Sequence, residues 1–356
     1  MSGLFEAWIA WRQSPECPKD KLQQSSEHEY LTRFKTHIQP VLGKTKIRKV
    51  DRAMLQHFIW VSIPAKKKQV KDESGKWVDS EAPAVSVYLQ KQIYSVLSSM
   101  FTFAVEEREL LKVNPLERVA RPKTGGVSGE RKKELVDHHY LPRRVTKALH
   151  GTPELGYWIL LFIGLRTSER LGITLSSFRN LENLDKPATL TINQQLVRDR
   201  KTGKWFLKPH TKTGAGERVL ILPEFFREHL ILWKKQRSQW RKDGIKNGTW
   251  APEEGLEQLF FVMPEGTSMR QNTDRQRWAV LLEKLKLPHH RLHDMRHMTA
   301  SELGRLNISA GIAKLILGHS SELMSLYYTH LSTSSTGEPL ELIAEGLRKD
   351  LPDTIH

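Results

Sequence analysis

The first third of the chain carries apolar residues at helical spacing. At positions 4–11 they recur at intervals of three and four residues, which predicts a first helix. Ser26 and Glu29 have the spacing of an N-terminal capping box, and apolar residues follow them every four positions. Further helices are predicted at 52–61 and at 89–104, where one face is almost wholly apolar.

Two lysine-rich segments interrupt this pattern. The segment 62–83 contains five lysines and is too polar to pack a core. It is therefore either a loop that touches phosphates or a mobile insertion, and both interpretations stay open. The segment 121–133 combines proline and glycine, which disfavour helix, with five basic residues that repel one another. It predicts an extended basic linker between a helical domain at 1–120 and a second domain that begins at 134.

The second domain has the pattern of a mostly helical fold with a small antiparallel sheet. A strongly apolar stretch at 155–165 predicts a buried helix. Residues typical of strands predict one run at 189–197, a second at 205–207 and a third at 218–222, and a glycine-containing turn at 213–216 would close a hairpin between the last two. Five more helices are predicted at 225–240, 273–285, 293–306, 308–317 and 321–330. The predicted fold class is mainly α, with an α+β second domain.

The charge balance narrows the class of partner. The 356 residues include 56 Lys and Arg against 40 Asp and Glu, which gives a net charge of +16. This excess is typical of proteins that neutralise the phosphates of nucleic acids, although a basic enzyme with another substrate can have the same balance.

Other features bear on the cellular setting. No apolar run approaches the about 18 residues of a membrane span. The N-terminus lacks the basic and apolar regions of a secretory signal. A single cysteine, Cys17, excludes an intrachain disulfide framework and a cysteine-based zinc ribbon. We therefore expect a soluble protein of a reducing compartment.

Four short segments of the second domain place charged groups beside apolar sequence. Taken singly, each has an ordinary explanation: a helical ion pair, a solvated turn, or a core or surface histidine or tyrosine. Taken together, their cationic groups could neutralise a phosphodiester without a metal ion, and a tyrosine hydroxyl could attack it to form a covalent phosphotyrosine. The residues concerned are Arg166 with Glu169, Lys212, His293 with Arg296, and His319 with Tyr328 nine residues later.

The order and spacing of these segments resemble the tyrosine recombinases, or phage-type integrases. The matching motifs are Gly164-Leu165-Arg166-x-Ser168-Glu169, His293-x-x-Arg296, Leu317-Gly318-His319 and Tyr328. The resemblance covers nearly the whole chain, and it implies a core-binding domain at 1–120, carrying the basic insertion at 62–83, and a catalytic domain at 134–331. Two departures are Arg170, where the family usually has an apolar residue, and 175–178, which lacks an acidic residue.

The resemblance also implies the role of each residue of the site. Arg166 and Arg296 would hold the non-bridging oxygens of the scissile phosphate, His293 and His319 would hydrogen-bond it, Lys212 would protonate the departing 5′ oxygen, Tyr328 would be the nucleophile, and Glu169 would support Arg166. Tyr327 is the competing nucleophile, but the nine-residue step from His319 favours Tyr328.

The expected partner is a double-stranded recombination site of a phage or mobile element. Candidates for contact with the DNA are basic residues of the insertion, the fourth helix and the linker, namely Lys66, Lys67, Lys68, Lys91, Arg121, Lys123, Arg131 and Lys132. A tetramer on DNA is expected, an accessory directionality factor is a further candidate partner, and no cofactor or metal ion is expected. The expected setting is the cytoplasm of a bacterial or phage-infected cell, in association with the nucleoid.

The tail at 332–356 predicts a polar stretch followed by a short amphipathic helix. Leu340, Ile343, Leu347 and Leu351 line one face, and acidic residues outnumber basic ones, so this helix should avoid DNA. The resemblance favours docking onto a neighbouring protomer. The alternative is that the helix folds back on its own domain.

Three other functions are weighed against recombination. His293 and His297 lie four residues apart as in a zinc hydrolase, but Asp294 stands where that motif needs glutamate. A non-catalytic DNA-binding protein of the same fold would not need the complete set of residues. A type IB topoisomerase-like enzyme would share the phosphotyrosine chemistry but relax DNA as a monomer.

Overall fold

The structure is a computed structural model that describes residues 1–18, 22–64, 67–71, 76–83, 85–123, 139–209, 217–318, 336–349 and 351. The chain divides into two compact units, Met1–Gly126 and Val127–His356. Each unit has its own hydrophobic core. The division falls within the segment 121–133.

The first unit consists mainly of helices. These are α1 (Ser2–Gln13), α2 (Gln24–Arg33), α3 (Gln39–Leu42), α4 (Arg52–His57) and α5 (Val87–Glu106). Short π-helical turns at Phe34–Ile38 and Phe58–Ser62 continue α2 and α4, and a 3-10 turn lies at Ile47–Lys49. The apolar face of α5 is buried, as its three- and four-residue spacing predicts.

The start of α2 differs from the predicted capping box. The helix begins at Gln24 with Gln23 as its N-cap, and no side chain caps it. Gln13 of α1 donates to the Glu27 carboxylate at 3.0 Å and to the Leu22 carbonyl at 3.4 Å. These contacts with α1 fix the turn ahead of Ser26, so the predicted N-cap at Ser26 is wrong.

The lysine-rich insertion is a β-hairpin. Strands β1 (Lys67–Lys71) and β2 (Trp77–Pro83) pair antiparallel, with Val70 opposite Val78. The described residues of this segment therefore include a strand pair that its polar composition did not predict. The two interpretations of its role, contact with phosphates or a mobile insertion, stay predictions.

The second unit is also mainly helical. Its helices are α6 (Leu141–Leu149), α7 (Pro153–Trp158), α8 (Thr167–Leu171), α9 (Glu224–Asn247), α10 (Gln271–Lys284), α11 (Leu292–Arg305), α12 (Ala310–Leu317) and α13 (Gly337–Arg348). The predicted helix at 155–165 is shorter than expected, because α7 passes into a 3-10 turn at Ile159–Leu161 and the chain turns at Gly164 with a φ of +80°. The predicted helix at 321–330 lies outside the described residues.

Five strands of the second unit form two small antiparallel sheets. They are β3 (Phe178–Arg179), β4 (Ala188–Ile192), β5 (Gln194–Arg198), β6 (Trp205–Pro209) and β7 (Arg218–Leu222). One sheet has the order β3-β4-β7, and β5 pairs with β6 in the other.

This arrangement corrects two predictions. The run at 189–197 is two strands in different sheets, because Gln194 turns away to donate to the Gly172 carbonyl at 3.0 Å and β5 packs beside α8. Strands β6 and β7 lie in different sheets and do not pair with each other, so the predicted hairpin between them is wrong, and the predicted turn at 213–216 lies outside the described residues.

Helix α13 packs against its own unit. Leu340, Ile343 and Leu347 are buried in the core of the second unit, with Leu351 packed beside them. Arg143 donates to the Lys349 carbonyl at 3.3 Å. Within one chain the apolar face is therefore covered in cis. Docking onto a neighbouring protomer stays a prediction, and it would require the helix to leave this position.

No helix of the described residues combines the length and hydropathy that crossing a bilayer requires.

Candidate active site

Arg166 and Glu169 form the first part of the site. Arg166 is the residue directly before α8, and Glu169 lies in the first turn. The buried carboxylate accepts from the backbone N–H of Arg166 at 3.0 Å and from its Nη1 at 2.6 Å. About a third of the Arg166 side chain, 35%, stays exposed. The ion pair therefore fixes the side chain while leaving part of it open to solvent.

Arg296 forms the buried part of the site. It lies on α11, and its Nη1 donates to the Gly164 carbonyl at 2.7 Å and to the Leu317 carbonyl at 2.5 Å. Its Nη2 is buried and has no hydrogen-bond partner among the described residues. Burial, together with the charges of Arg166 and Arg218, lowers the pKa of Arg296 to about 10. The guanidinium is still protonated at neutral pH, so it is a buried cation with a donor that no described residue accepts from.

Arg218 is a member of the site that the sequence analysis missed. It is the first residue of β7, and its Nε donates to the Ile316 carbonyl at 2.8 Å. Its Nη2 donates to Glu169 Oε2 at 2.9 Å. Burial alone would raise the pKa of Glu169, but Arg218 and Arg166 outweigh it and hold that pKa below its usual range. Glu169 is therefore a carboxylate shared by two arginines.

The three arginines converge on the last carbonyls of α12. The final carbonyls of a helix lack intrahelical donors and carry the negative end of the helix dipole, so cations are favoured there. The described charges of the cluster are three guanidinium groups against the one carboxylate of Glu169, an excess of two positive charges. The pairs are Arg218 with Ile316 O at 2.8 Å, Arg296 with Leu317 O at 2.5 Å and Arg166 with Gly318 O at 2.7 Å.

Two glycines allow this close approach. Gly164 has a φ of +80°, and a Cβ there would lie 2.4 Å from Leu317 Cδ2. Gly318 has a φ of +65°, and a Cβ there would lie 2.4 Å from Arg218 Nη1. Both positions have left-handed backbone that favours glycine. The Gly-Leu-Arg and Leu-Gly-His motifs therefore have a packing reason for their glycines.

His293 lies one turn from Arg296 on α11 but is exposed where Arg296 is buried. Its ring lies 4.9 Å from that of His297, nearly perpendicular to it. Partial burial and the neighbouring His297 and Arg296 lower the pKa of His293. The imidazole is therefore neutral at pH 7 and available to accept a proton.

Comparison with known proteins supports the family resemblance. No protein-family profile matches the chain. A tyrosine recombinase XerC-like protein of Caldanaerobacter subterraneus subsp. tengcongensis is 22% identical over 247 residues, which is 68% of this chain and 62% of that protein. An integrase of Saccharopolyspora erythraea is 25% identical over 135 residues, or 38% of this chain and 30% of that protein. The chain thus spans less than two thirds of either relative.

Solved structures extend the similarity to nearly the whole chain. The Tn1549 transposon integrase bound to transposon right end DNA has a TM-score of 0.59 and 18% identity, covering 96% of this chain and 99% of that one. The same integrase with a circular intermediate DNA has a TM-score of 0.60 and 17% identity, covering 96% and 98%. The chain resembles a tyrosine recombinase and an integrase in sequence and has the fold of the solved Tn1549 integrase. The family resemblance and the fold class predicted from the sequence are thereby confirmed.

The remaining residues that the tyrosine recombinase resemblance selects lie outside the described part of the chain. These are Lys212, His319 and Tyr328, together with the DNA-contact candidates Lys66, Arg131 and Lys132. Their roles stay proposals. The structure brings together Arg166, Glu169, His293 and Arg296 in the second unit.

The DNA-contact candidates that are described lie in the first unit. Lys91 and Ser95 lie one turn apart on α5, and Arg121 Nη2 donates to Ser95 Oγ at 3.2 Å. Lys91 and Arg121 therefore border the same surface of this unit, and Lys123 is exposed two residues further along. Lys67 and Lys68 lie on β1 of the hairpin.

Arg170, a departure from the tyrosine recombinase pattern, is wholly buried with a partner of its own. Its Nη2 donates to Asp274 Oδ2 at 2.5 Å, and the Tyr157 hydroxyl donates to Oδ1 of the same carboxylate at 2.5 Å. Its Cζ lies 4.7 to 5.3 Å from the ring centroids of Tyr157, Trp158 and Phe261. This cluster anchors α8 to α10, so the arginine replaces apolar packing with an ion pair.

Proposed function

We propose that this chain is a site-specific DNA recombinase that cleaves and rejoins double-stranded DNA through a 3′-phosphotyrosine. Its biological use would be integration or excision of a phage or mobile element. The observation that carries the proposal is the cluster of three guanidinium groups at the end of α12, where the buried Nη2 of Arg296 has no partner among the described residues.

The cluster has the properties of a site for an anion. A buried donor without an acceptor costs about 1–3 kcal/mol, and an excess of buried positive charge adds to that cost. A phosphodiester would relieve both, since its non-bridging oxygens are charged acceptors that a planar guanidinium recognises well. Arg166, which is partly exposed, would meet one oxygen, and Arg296 would meet the other from inside the unit.

The chemistry then follows as a transfer of the phosphoryl group between two oxygens. The hydroxyl of Tyr328 would attack phosphorus, the bond to the 5′ oxygen would break, and Lys212 would give that oxygen its proton. Neutral His293 would take the proton of the tyrosine, while His319 would hydrogen-bond the phosphate. Because the phosphotyrosine ester conserves the energy of the broken bond, religation needs neither ATP nor a metal ion, and the arginines stabilise the charge of the transition state.

The partners follow from the same reaction. Four protomers would exchange strands in two steps through a Holliday junction on double-stranded recombination sites. The solved Tn1549 integrase structures are complexes with transposon-end and circular-intermediate DNA, which supports duplex DNA as substrate. An accessory directionality factor would set the balance of integration and excision. A bacterial or phage-infected cell, with the protein on the nucleoid, is the proposed setting.

The test uses a library of nicked duplexes of random sequence, incubated with the full chain in EDTA. The nick lets the short 5′-hydroxyl fragment diffuse away after cleavage, so that covalent adducts accumulate and their DNA can be sequenced. We expect adducts on one related set of sequences with the wild type and with Tyr327→Phe, and none with Tyr328→Phe. Adducts from Tyr328→Phe, or a requirement for Mg²⁺ or Zn²⁺, would contradict the proposal. Relaxation of a supercoiled plasmid without recombinants would favour the topoisomerase class instead.

A further inference from the structure

We infer that Arg218 is a positioning residue for strand cleavage, which ties the helix of Arg166 to the end of α12 and so holds Arg166 in place. The inference rests on the proposed function for its reaction, but the contacts that carry it are independent of DNA. Arg218 was not among the residues selected from the sequence, and it would touch no reacting atom.

Arg218 joins two elements that approach the site from different directions. The side chain is 1% exposed. Its Nη2 and Nη1 meet the two oxygens of Glu169 at 2.9 and 3.5 Å, and its Nε donates to the Ile316 carbonyl at 2.8 Å. Glu169 in turn holds the backbone and Nη1 of Arg166. One guanidinium thus fixes both the carboxylate that orients Arg166 and the helix end that accepts from it.

The contact needs an arginine rather than any cation. A guanidinium has five donors in a planar fork, whereas an ammonium is a point charge on a flexible stem. A lysine at 218 could neutralise Glu169, but one nitrogen cannot reach both the carboxylate and Ile316 in the geometry of the fork. Gly318 leaves room for the guanidinium, since a Cβ there would lie 2.4 Å from Arg218 Nη1.

A small displacement of Arg166 is enough to matter for the proposed cleavage. Glu169 accepts from the backbone N–H and Nη1 of Arg166, and the Gly318 carbonyl accepts from its Nη2. A change at Arg218 should loosen these contacts, and a displacement of about 1 Å can slow a reaction about 100-fold.

Arg227 of α9 is a matched control. It belongs to the same unit and is also buried, at 2% exposure. Its Nε donates to the Leu181 carbonyl at 2.9 Å and its Nη2 to the Asn180 carbonyl at 3.0 Å. It also pairs with Glu224 on its own helix. Replacing it removes a buried guanidinium with comparable bonds, none of which involves the cluster at α12.

The first measurement needs no DNA. Amide hydrogen exchange of the full-length protein is compared in the wild type, Arg218→Met, Arg218→Lys and Arg227→Met. We expect exchange at Leu317 and Gly318 to become at least about tenfold faster in both Arg218 variants and to stay unchanged in Arg227→Met. Unchanged exchange there in both Arg218 variants would overturn the inference, whether or not the chain cleaves DNA. Thermal melting shows whether a variant is folded. If Arg218→Met is not, the exchange rates of Arg218→Lys, which keeps the positive charge, decide whether the inference holds.

The second measurement is a double-mutant cycle on single-turnover cleavage of a duplex recovered from the library, at saturating protein. We expect Arg218→Met to be about 100-fold slower than the wild type and Arg227→Met to be within about threefold of it. If Arg218 acts through Arg166, Arg166→Ala with Arg218→Met will be no slower than Arg166→Ala alone. Defects that multiply would show a general structural role and overturn the inference. If the wild type forms no adduct on any duplex, the proposed function fails, and hydrogen exchange alone decides the role of Arg218.

Discussion

The second unit contains two buried arginine clusters that differ in charge balance. At Arg170 one guanidinium meets one carboxylate, Asp274, and stacks among aromatic rings. At the end of α12 there are three guanidiniums and one carboxylate, Glu169, which pairs with Arg166 and Arg218 but not with Arg296. Each cluster has one buried guanidinium nitrogen without an acceptor among the described residues, Nε of Arg170 and Nη2 of Arg296.

The two clusters differ in their charge balance, whereas an unpaired guanidinium nitrogen is common to both. Arg170 Nε lies in a guanidinium that is compensated by Asp274 and covered by rings, whereas Arg296 has Arg166 and Arg218 as charged neighbours. A balanced buried pair is what an anchor between two helices needs. An excess of buried cations costs free energy, which a bound anion would offset. The first cluster is therefore a structural anchor, and the second is the proposed phosphate site.

The largest expected effect comes from breaking the balanced cluster. Asp274→Ala leaves Arg170 buried without its carboxylate, which should lower the free energy of unfolding by about 3–5 kcal/mol. Urea unfolding followed by tryptophan fluorescence measures this loss. The double variant Asp274→Ala with Arg170→Met removes both charges and is the control, since it should recover most of the stability. A loss below about 1 kcal/mol in the single variant would mean that the pair anchors nothing.

Arg296→Met should have the opposite profile. Removing a cation from an excess relieves repulsion, but the buried carbonyls of Gly164 and Leu317 lose their donor, so the free energy of unfolding should fall by about 1–3 kcal/mol, less than in Asp274→Ala. Cleavage should fall by about 10²–10³-fold, the usual cost of losing one donor to transition-state charge. The urea midpoint and the rate of adduct formation are measured on the same preparations. A variant that loses stability but keeps its cleavage rate would reverse the assignment of the two clusters.

A buried histidine, His229, gives a third case to compare with the two arginine clusters. His229 is buried, its Nε2 has no hydrogen-bond partner in the part of the chain that the structure describes, and its ring lies 5.3 Å from that of His150. Burial lowers the pKa of His229 from 6.5 to about 4. Because the folded state holds the proton less tightly than the unfolded state, the stability due to this group is complete above pH 6.5 and is lost as the pH falls towards 4.

The expected loss for His229 is up to about 3 kcal/mol between pH 6.5 and pH 4. Urea unfolding at pH 4, 5, 6 and 7 measures it. The control is His229→Gln, which cannot take up the proton and should have a shallower acid limb. Parallel pH curves for the wild type and the variant would place the acid sensitivity elsewhere.

The smallest effect is expected in the first unit, where the arginine side chain concerned is exposed and loses little hydration. Arg121→Ala should weaken DNA binding about equally on all sequences and reduce the slope of log K against log salt by about 1. Fluorescence anisotropy between 50 and 200 mM salt measures the slope. Arg305, an exposed arginine of the second unit that pairs with Glu302, is the comparison, and Arg305→Ala should leave the slope unchanged. Equal slopes for wild type and Arg121→Ala would remove Arg121 from the DNA surface.

The sequence could predict what depends on neighbours along the chain. Arg166 and Glu169 are three residues apart at the start of one helix, and the strand Arg218–Leu222 is predicted with its observed bounds. Arg218 itself could not be assigned a role, because its partners Glu169 and Ile316 lie 49 and 98 residues away. Asp274 is 104 residues from Arg170 for the same reason. A charged residue opening an otherwise apolar strand was the available signal for Arg218.

The strand errors also have local causes. The run at 189–197 divides because Gln194 bonds to Gly172, a contact across the fold that periodicity does not contain. The pairing of β1 with β2 is not predicted, because the lysines make the segment look too polar for a sheet, although Val70 lies opposite Val78. Sequence therefore predicted the elements well where apolar periodicity is continuous, and poorly where a polar side chain decides the course of the chain.

The most direct test of the phosphate site removes charge from the DNA instead of from the protein. A methylphosphonate at the cleavage position replaces one charged non-bridging oxygen by a methyl group. On the ordinary phosphate, Arg296→Met should form adducts about 10²–10³-fold more slowly than the wild type. On the methylphosphonate isomer whose methyl group faces Arg296, we expect the two proteins to agree within about threefold, because the charge that Arg296 neutralises is absent. The same 10²–10³-fold gap on the phosphate and on both methylphosphonate isomers would contradict contact between Arg296 and the scissile phosphate.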